Sequence, residues 1–331
     1  MENYKCIFCI VTEHQMLQFY EAMRHFNLHN DQIVLIIFIL NNDYTWIEEI
    51  RSNFPLISIK IFENWVAKDL IFNRQKINEY IIYINKLKVS QSKIIFFSSQ
   101  YFSDFSLLTY SVLKPYRYFL LDEGTASFNV VLERKKNKVF NPKLILKSFF
   151  YKKKLYYPSN ITFFSQYDLD ISHFDKIEIY EFEKEKNILA VNSKIAIFLG
   201  TSLVELGLMN EKVYLSLMKK IKDDFLSHKS YYYCHRKESS SKLELIRKIG
   251  FEIKQNEKPF EFIFSTLNPC PEIIASFSSP ILDTISKRKE KIPKFVIYKY
   301  DISNLNKKNR EITELIYNTF SKNKTLTIKS I

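Results

Sequence analysis

Four groups of residues in this 331-residue sequence have the types and placement that chemistry asks for. Asp122-Glu123-Gly124 closes the apolar run RYFLL. Neighbouring carboxylates favour one another's protonated form, which suits one of a pair to general-base work. Gly124 lets the backbone turn sharply or approach a ligand closely. His235 ends the aromatic run YYYCH and is followed by Arg236 and Lys237. Cations beside an imidazole disfavour its charged form, and a bound phosphate would offset them; such a group can hydrogen-bond a phosphate or protonate a leaving oxygen. Ser278-Ser279-Pro280 fits a helix start, with a hydroxyl cap and an early proline, and free N–H groups there make a phosphate cradle. Glu261 opens the run EFIFS, and a carboxylate there can accept both hydroxyls of a ribose. Each group also has a plain structural explanation: a strand-end turn, an exposed histidine before a helix, an N-cap, a strand-edge acid.

The elements that must position these residues alternate. Strands are expected at 5–11, 33–40, 57–62, 94–98, 117–121, 160–165 and 177–182. Helices are expected after the N-cap candidate Thr12 and over 44–53 and 66–89. The polar stretch 183–194 reads as an interdomain linker. A second unit follows, with strands at 195–200, 231–235, 261–265, 272–276 and, last, 295–300. Its helices are expected over 210–225 with Asn210 as N-cap, 239–249 stopped by Gly250, 279–288 and 307–321. Strand–helix alternation of this kind predicts an α/β chain with mainly parallel sheets. Ligands then sit at the C-terminal ends of strands and the N-termini of helices. The expected domains are 1–188 and 189–305. A terminal helix and tail, 306–331, complete the chain, with a crossing back to the N-terminal domain left open.

Composition removes several functions. The chain has only four glycines, Gly124, Gly200, Gly207 and Gly250. Neither the G-x-G-x-x-G dinucleotide fingerprint nor a phosphate-loop motif is present. The formal charge of +13 favours an anionic partner. Cys6 and Cys9 fall on opposite faces of a strand, which argues against a zinc or redox pair. No signal peptide is visible and no apolar run approaches the ~20 residues of a spanning helix, so a cytoplasmic protein is expected. From Arg134 to Lys154 there are nine Lys/Arg residues and no acid, interleaved with apolar side chains. This stretch reads either as a solvated face or as a surface for an anionic membrane. No recognisable module supports nucleic-acid binding. Asp168-Leu169-Asp170 has the D-x-D form of a metal-binding motif, but it recurs by chance and stands outside the expected nucleotide-domain pattern. No metal and no cofactor are expected.

The order and spacing of the motifs carry more than any one of them. Leu121-Asp122-Glu123-Gly124, then Tyr233-Cys234-His235-Arg236, then Pro259-Phe260-Glu261, then Ser276-Phe277-Ser278-Ser279 resemble the bacterial sialyltransferases. The match is to the lipooligosaccharide group, glycosyltransferase family 52, and its capsular polysialyltransferase relatives. The stretches 198–221 and IVTEHQMLQFYEAM are also similar to that family. The chain departs from it at Arg236, where the family has proline after the histidine. The resemblance implies a GT-B fold, two Rossmann-like domains facing a central cleft, with 1–188 on the acceptor side and 189–305 binding the CMP-sugar. It implies an inverting, metal-independent transfer from CMP-sialic acid to a terminal sugar, galactose above all, of a lipooligosaccharide or capsular glycan. Glu123 or Asp122 would be the base, with Glu123 preferred because it abuts the turn glycine. His235, Ser278 and Ser279 would stabilise the departing phosphate. Glu261 would hold the ribose. Gly200 and Thr201 would line the cleft, with Gly124 and Arg236 also at the donor. The partners implied are a nucleotide-sugar donor and a glycan acceptor, and the resemblance leaves a homodimer open. The basic stretch 134–154 then suggests peripheral contact with the inner membrane face. Two other readings compete: a GT-B transferase using CMP-Kdo or a UDP-sugar, and a non-catalytic membrane- or nucleic-acid-binding module, for which the net charge is the only support.

Overall fold

The computed structural model describes residues 4–39, 45–63, 74–88, 93–124, 126–136, 142–182, 194–255, 258–288 and 293–331. The chain divides into two compact units, Met1–Tyr180 and Glu181–Ile331. In the first, the described elements are β1 Tyr4–Ile10, α1 Glu13–His25, β2 Ile33–Ile39, α2 Thr45–Asn53, β3 Ser58–Glu63, α3 Arg74–Lys88, β4 Lys93–Ser98, α4 Asp104–Leu113, β5 Arg117–Leu121, α5 Ala126–Lys135, α6 Pro142–Tyr151, β6 Thr162–Ser165 and β7 Lys176–Ile179. The strands form one parallel sheet in the order β3-β2-β1-β4-β5-β6-β7. Every residue of β2 is buried, as a continuous apolar run must be when both sheet faces are covered. Phe8, Phe97 and Phe119 are in register on neighbouring strands and stack with centroids 4.2 and 4.9 Å apart. This aromatic row fixes where β1, β4 and β5 end, and therefore where their C-terminal residues emerge.

The second unit comprises β8 Ile195–Leu199, α7 Glu211–Asp224, β9 Lys229–Tyr233, α8 Ser240–Ile249, β10 Glu252–Lys254, α9 Phe260–Thr266, β11 Ile273–Ser276, α10 Pro280–Arg288, β12 Lys294–Lys299, α11 Lys307–Ser321 and β13 Leu326–Ser330. Its parallel sheet has the order β10-β9-β8-β11-β12-β13. Counted within each unit, both sheets run 3-2-1-4-5-6, the doubly wound Rossmann-like order; the first adds a seventh strand. All strands stay parallel, but the order in which they are added reverses between β1 and β4 in one sheet and between β8 and β11 in the other. Local sequence sets the helix limits. The Asn210 side chain caps α7 by accepting from the Lys212 N–H at 2.9 Å, and Gly250 ends α8 with φ 105°.

Three expectations for the second unit need correction. Residues 261–265 belong to a helix, not a strand. Phe260 and Phe264, four apart, are both buried on one face, and Pro259 supplies a fixed φ of −52° immediately before the first turn. The alternation F-E-F-I-F imitates a strand only when that four-residue spacing is overlooked. The three-residue β10 was not expected after Gly250, being too short to show a period. Nor is 295–300 the last strand: the Thr-rich tail forms β13, paired in parallel with β12 inside the second unit. The expected linker 183–194 lies outside the described residues except for Lys194, as does the start of the helix expected over 66–89.

Part of the basic run is not a surface feature. Arg134 is buried and makes a bidentate ion pair with Asp175, with Nε–Oδ2 2.6 Å and Nη2–Oδ1 2.5 Å. It also donates to Tyr101 Oη and to the carbonyls of Pro158 and Ser159. Asp175 in turn accepts from the Ile161 N–H just before β6, so this pair closes the sheet edge carrying β6 and β7. Lys135 pairs with Asp170 at the surface. Removing one member of a buried pair strands its partner, whereas an exposed pair contributes little. Arg134→Ala is therefore expected to lower stability to urea by about 3–5 kcal/mol, and Lys135→Ala by no more than about 1 kcal/mol. Equal losses would contradict the assignment.

Candidate functional site

In the second unit the candidate residues gather at the sheet's switch point. Gly200-Thr201 follows β8, Ser278-Ser279 lies between β11 and α10, and His235 stands two residues beyond β9. β8 lies between β9 and β11, so Gly200 emerges between the strands carrying the other two. The Gly200 N–H donates to the Tyr233 carbonyl at 2.8 Å, and Ser276 Oγ donates to the Leu199 carbonyl at 2.9 Å. Ser279 is buried directly before Pro280, and Ser278 is half-buried.

Beneath these loops sits a buried charged cluster. The Lys242 side chain is 0% exposed, and so is that of Glu238. Lys242 Nζ lies 2.7 Å from Glu238 Oε1, 3.2 Å from Glu205 Oε2 and 3.1 Å from the Thr201 carbonyl, and 4.0 Å from the centroid of the Tyr214 ring. Glu238 also accepts from Tyr232 Oη and from the His235 N–H, both at 2.6 Å. Tyr232 Oη lies 2.7 Å from Tyr214 Oη. One ammonium group thus ties the turn after β8 to the turn after β9. A Cβ on Gly200 would fall on Glu238 Oε2 and within 2.7 Å of Tyr232 Oη, so glycine is required where the cluster presses against the loop. Burial raises the Glu238 carboxyl above its usual range, and Lys242 opposes that rise.

The imidazole of His235 has a defined state. Burial lowers its pKa below the usual value, and Arg236 and Lys237 lower it further. Its Nδ1 accepts from the Lys237 N–H at 3.2 Å. A neutral ring whose Nδ1 accepts carries its proton on Nε2, so the free side of His235 is a hydrogen-bond donor. Arg236, where the resembled family has proline, is exposed. Glu261 is buried in the first turn of α9. The Phe260 ring packs on Tyr233 at 5.0 Å, which brings that turn to the C-terminal end of β9.

In the first unit, Asp122 and Glu123 have different surroundings. Asp122 is buried; it accepts from Ser127 Oγ at 3.2 Å and from the Gln166 N–H at 2.9 Å, which joins β5 to the turn after β6. Glu123 is half-buried, and its Oε1 accepts from Gln15 Nε2 at 2.9 Å and Gln100 Nε2 at 3.3 Å. Gln15 is itself fixed, since its Oε1 accepts from the Val11 N–H at 2.8 Å. Gln15 comes from the first turn after β1 and Gln100 from the loop after β4, so Glu123 is held by both sides of this sheet's switch point. Gly124 takes φ 55°, a conformation open to glycine.

The sequence reading did not select Gln15, Gln100, Glu238 or Lys242. Glutamines carry no motif. Glu238 and Lys242 do stand at i, i+4 across a helix start, a readable pair, but Lys242 sits beside Leu243 on the buried face of α8, where a lysine is read as displaced from solvent. Asp168 and Asp170 are exposed on either side of buried Leu169. Among the described residues no group of three His, Cys, Asp or Glu could hold a metal ion, and no helix is long and apolar enough to cross a membrane.

No protein-family model matches the sequence, and no curated protein does. Solved structures do match over nearly the whole chain. An alpha/beta-galactoside alpha-2,3-sialyltransferase from the luminous marine bacterium Photobacterium phosphoreum is 13% identical, covers 98% of each chain and has a TM-score of 0.54. Arabidopsis thaliana UGT89C1, complexed with UDP-L-rhamnose, is 8% identical over 98% of this chain and 85% of its own, with a TM-score of 0.51. TcCGT1 in complex with UDP is 8% identical over 99% and 86%, with a TM-score of 0.52. At these identities the likeness establishes the fold. The chain has the two Rossmann-like α/β units of a GT-B glycosyltransferase fold.

Two measurements check the site's electrostatics. In an NMR titration the His235 imidazole should have its midpoint below 6.5, and Arg236→Gln should raise it part of the way back, because burial remains. Since the folded state resists protonation, this residue's contribution to stability is lost as pH falls below the unfolded value of 6.5. A midpoint at or above 6.5 would contradict the neutral donor. Lys242→Met should cost about 3–5 kcal/mol of stability, the penalty for stranding buried carboxylates; a loss below about 1 kcal/mol would mean the cluster is not what holds the loops.

Proposed function

We propose that this chain is a sialyltransferase that moves sialic acid from CMP-sialic acid to a terminal sugar, galactose above all, of a bacterial lipooligosaccharide or capsular glycan. The observation that carries the reading is the pair of switch points with opposite chemistry. One presents a carboxylate, Glu123, oriented by two amide donors. The other presents, after β9, a neutral imidazole with its Nε2–H free and, across the intervening β8, the hydroxyl-bearing turn between β11 and α10. The order of these residues along the chain resembles that of family 52, and the chain is similar in fold to a bacterial sialyltransferase.

In this mechanism Glu123 takes the proton of the acceptor hydroxyl. The hydroxyl oxygen forms a bond to the anomeric carbon of sialic acid as the bond from that carbon to the phosphate oxygen breaks, with inversion. Charge builds on the sugar ring as an oxocarbenium-like cation and on the departing CMP. His235 Nε2–H, Ser278, Ser279 and the N–H groups at the start of α10 donate to that phosphate, an arrangement that acts only where negative charge develops. Glu261 holds the ribose, and Gly200-Thr201 lets the nucleotide approach the end of β8. Asp122 serves as a brace for the turn that aims Glu123, because both of its oxygens are occupied within the sheet edge. No metal takes part in this scheme. The proposal includes peripheral contact with an anionic membrane through the basic stretch that ends at Lys154.

A second reading, a UDP-sugar donor on the same site, is favoured by the UDP complexes among the proteins of like fold. CMP release from CMP-sialic acid, assayed in EDTA with galactose-terminated acceptors, separates the two. The expected result is acceptor-dependent release that survives EDTA and falls by about 100-fold or more in Glu123→Gln and His235→Ala, with both variants folded. Consumption of a UDP-sugar or CMP-Kdo instead would keep the fold and replace the donor. No turnover with any donor would overturn the catalytic reading.

A further inference from the structure

The helix α6 is built the wrong way round for a helix facing only water. Ile145, Leu146 and Phe149 are 59%, 58% and 77% exposed. At i, i+1 and i+4 they share one face. The opposite face is tied down. Lys147 pairs with Asp104, Tyr151 Oη donates to Asp104 Oδ2 at 2.5 Å, and Ser148 Oγ accepts from the Leu155 N–H at 2.9 Å. The polar side chains of the helix are spent on anchoring it, and its large apolar ones are left outside.

The chain leaving α6 leads straight into a basic pocket. Lys152 adopts φ 47°, and the N–H groups of Lys152 and Lys153 return to the carbonyls of Phe149 and Ser148, which fixes this turn. Lys153 and Lys154 then join Lys88 and Lys114 around a pocket of about 610 Å³ in whose lining, among the described residues, there is no acid. Ser111 and Tyr156 contribute hydroxyl-bearing side chains to the same lining. Among the described residues none of these four lysines has a carboxylate partner, unlike Arg134, Lys135 and Lys147 of the same basic run.

We infer that the exposed face of α6 and the adjoining lysine pocket form one docking surface for an anionic phospholipid bilayer. The pocket receives headgroup phosphates while Ile145, Leu146 and Phe149 enter the boundary between headgroups and acyl chains. Charge complementarity selects this occupant. Four unpaired lysines ask for clustered anions, and three large apolar side chains beside them ask for hydrocarbon, and an anionic bilayer supplies both at that spacing. A nucleic-acid backbone would meet the lysines but offers nothing to the helix face. The inference deepens the membrane contact proposed above and rests on it alone; the catalytic assignment is independent of it. It also narrows the contact, because Arg134, Lys135 and Lys147 are engaged within the protein.

The test is flotation of the full chain with vesicles of phosphatidylcholine alone and of phosphatidylcholine mixed with phosphatidylglycerol. The wild type should float only with the anionic vesicles. The variant Ile145→Gln/Leu146→Gln/Phe149→Gln and the variant Lys88→Gln/Lys114→Gln/Lys153→Gln/Lys154→Gln should each lose about tenfold or more in partitioning, with unchanged thermal melts. Neutralising the exposed lysines Lys212, Lys219, Lys220 and Lys248 of the second unit should have little effect. No flotation of the wild type would remove the membrane contact altogether. Flotation that survives both variants would leave membrane contact standing but overturn this surface. Loss with the lysine variant only, or an equal loss with the second-unit lysines, would reduce binding to unspecific charge and also overturn it.

Discussion

The second unit depends on one buried ion pair. Lys242 and Glu238 are both shut off from solvent, a position that costs several kcal/mol per ion unless every charge is met. Here they are met: two carboxylates, a backbone carbonyl and an aromatic face surround the ammonium group, while a phenol and a backbone N–H complete Glu238. The consequence reaches the surface. The turn after β8 is held by its carbonyl at Thr201, and the turn after β9 is held by its N–H at His235. Gly200 is glycine because the cluster leaves no room for a Cβ. A buried pair of this kind adds little net stability, and its visible effect here is to hold the two turns in one arrangement.

The first unit reaches the same end with neutral side chains. Gln15 and Gln100 hold Glu123 from two elements on either side of the strand reversal, and Gln15 is pinned by a backbone donor. In both units the candidate residues therefore stand where a doubly wound sheet opens, and in both they are braced by side chains from neighbouring elements. They differ in what they present: a carboxylate that accepts in one, an imidazole that donates in the other. A transfer that must take a proton from one oxygen and stabilise charge on another calls for that division.

Much of this was legible in the sequence, for reasons that can be traced. Continuous apolar runs such as IVLIIFI announce interior parallel strands, and the cap Asn210 and the stop at Gly250 mark helix limits within a residue. The motif order pointed to a glycosyltransferase of two Rossmann-like domains, and the structures of like fold agree at that level. The failures are equally physical. FEFIF alternates like a strand, yet Pro259 and the Phe260–Phe264 spacing make it a helix. The edge strand β10 has three residues, too few to show a period, and β13 alternates Leu326 and Ile328 with Thr327 and Lys329 but is only half-buried and follows directly on a polar helix end, so it was read as tail. The bracing residues escaped because a lysine or glutamine contributes to a site through contacts distant in sequence: Gln15 and Glu123 are far apart along the chain but within hydrogen-bonding distance in the fold.

The basic run from Arg134 to Lys154 shows how composition misleads when read as a block. One cation is the centre of a buried network, others are ion-paired, and among the described residues Lys153 and Lys154, with Lys88 and Lys114 from elsewhere, stand together without a carboxylate partner. Charge alone did not distinguish these roles; burial and pairing do.

The central claim is that the second unit binds CMP with its phosphate against His235. The most direct test follows the His235 imidazole by NMR while CMP is added to the metal-free protein. The account predicts that CMP shifts the Nε2 resonance and raises the His235 midpoint, since an anion beside the ring favours its protonated form, while UMP at the same concentration has a smaller effect. Binding of CMP with no change at His235, or a larger response to UMP than to CMP, would contradict it.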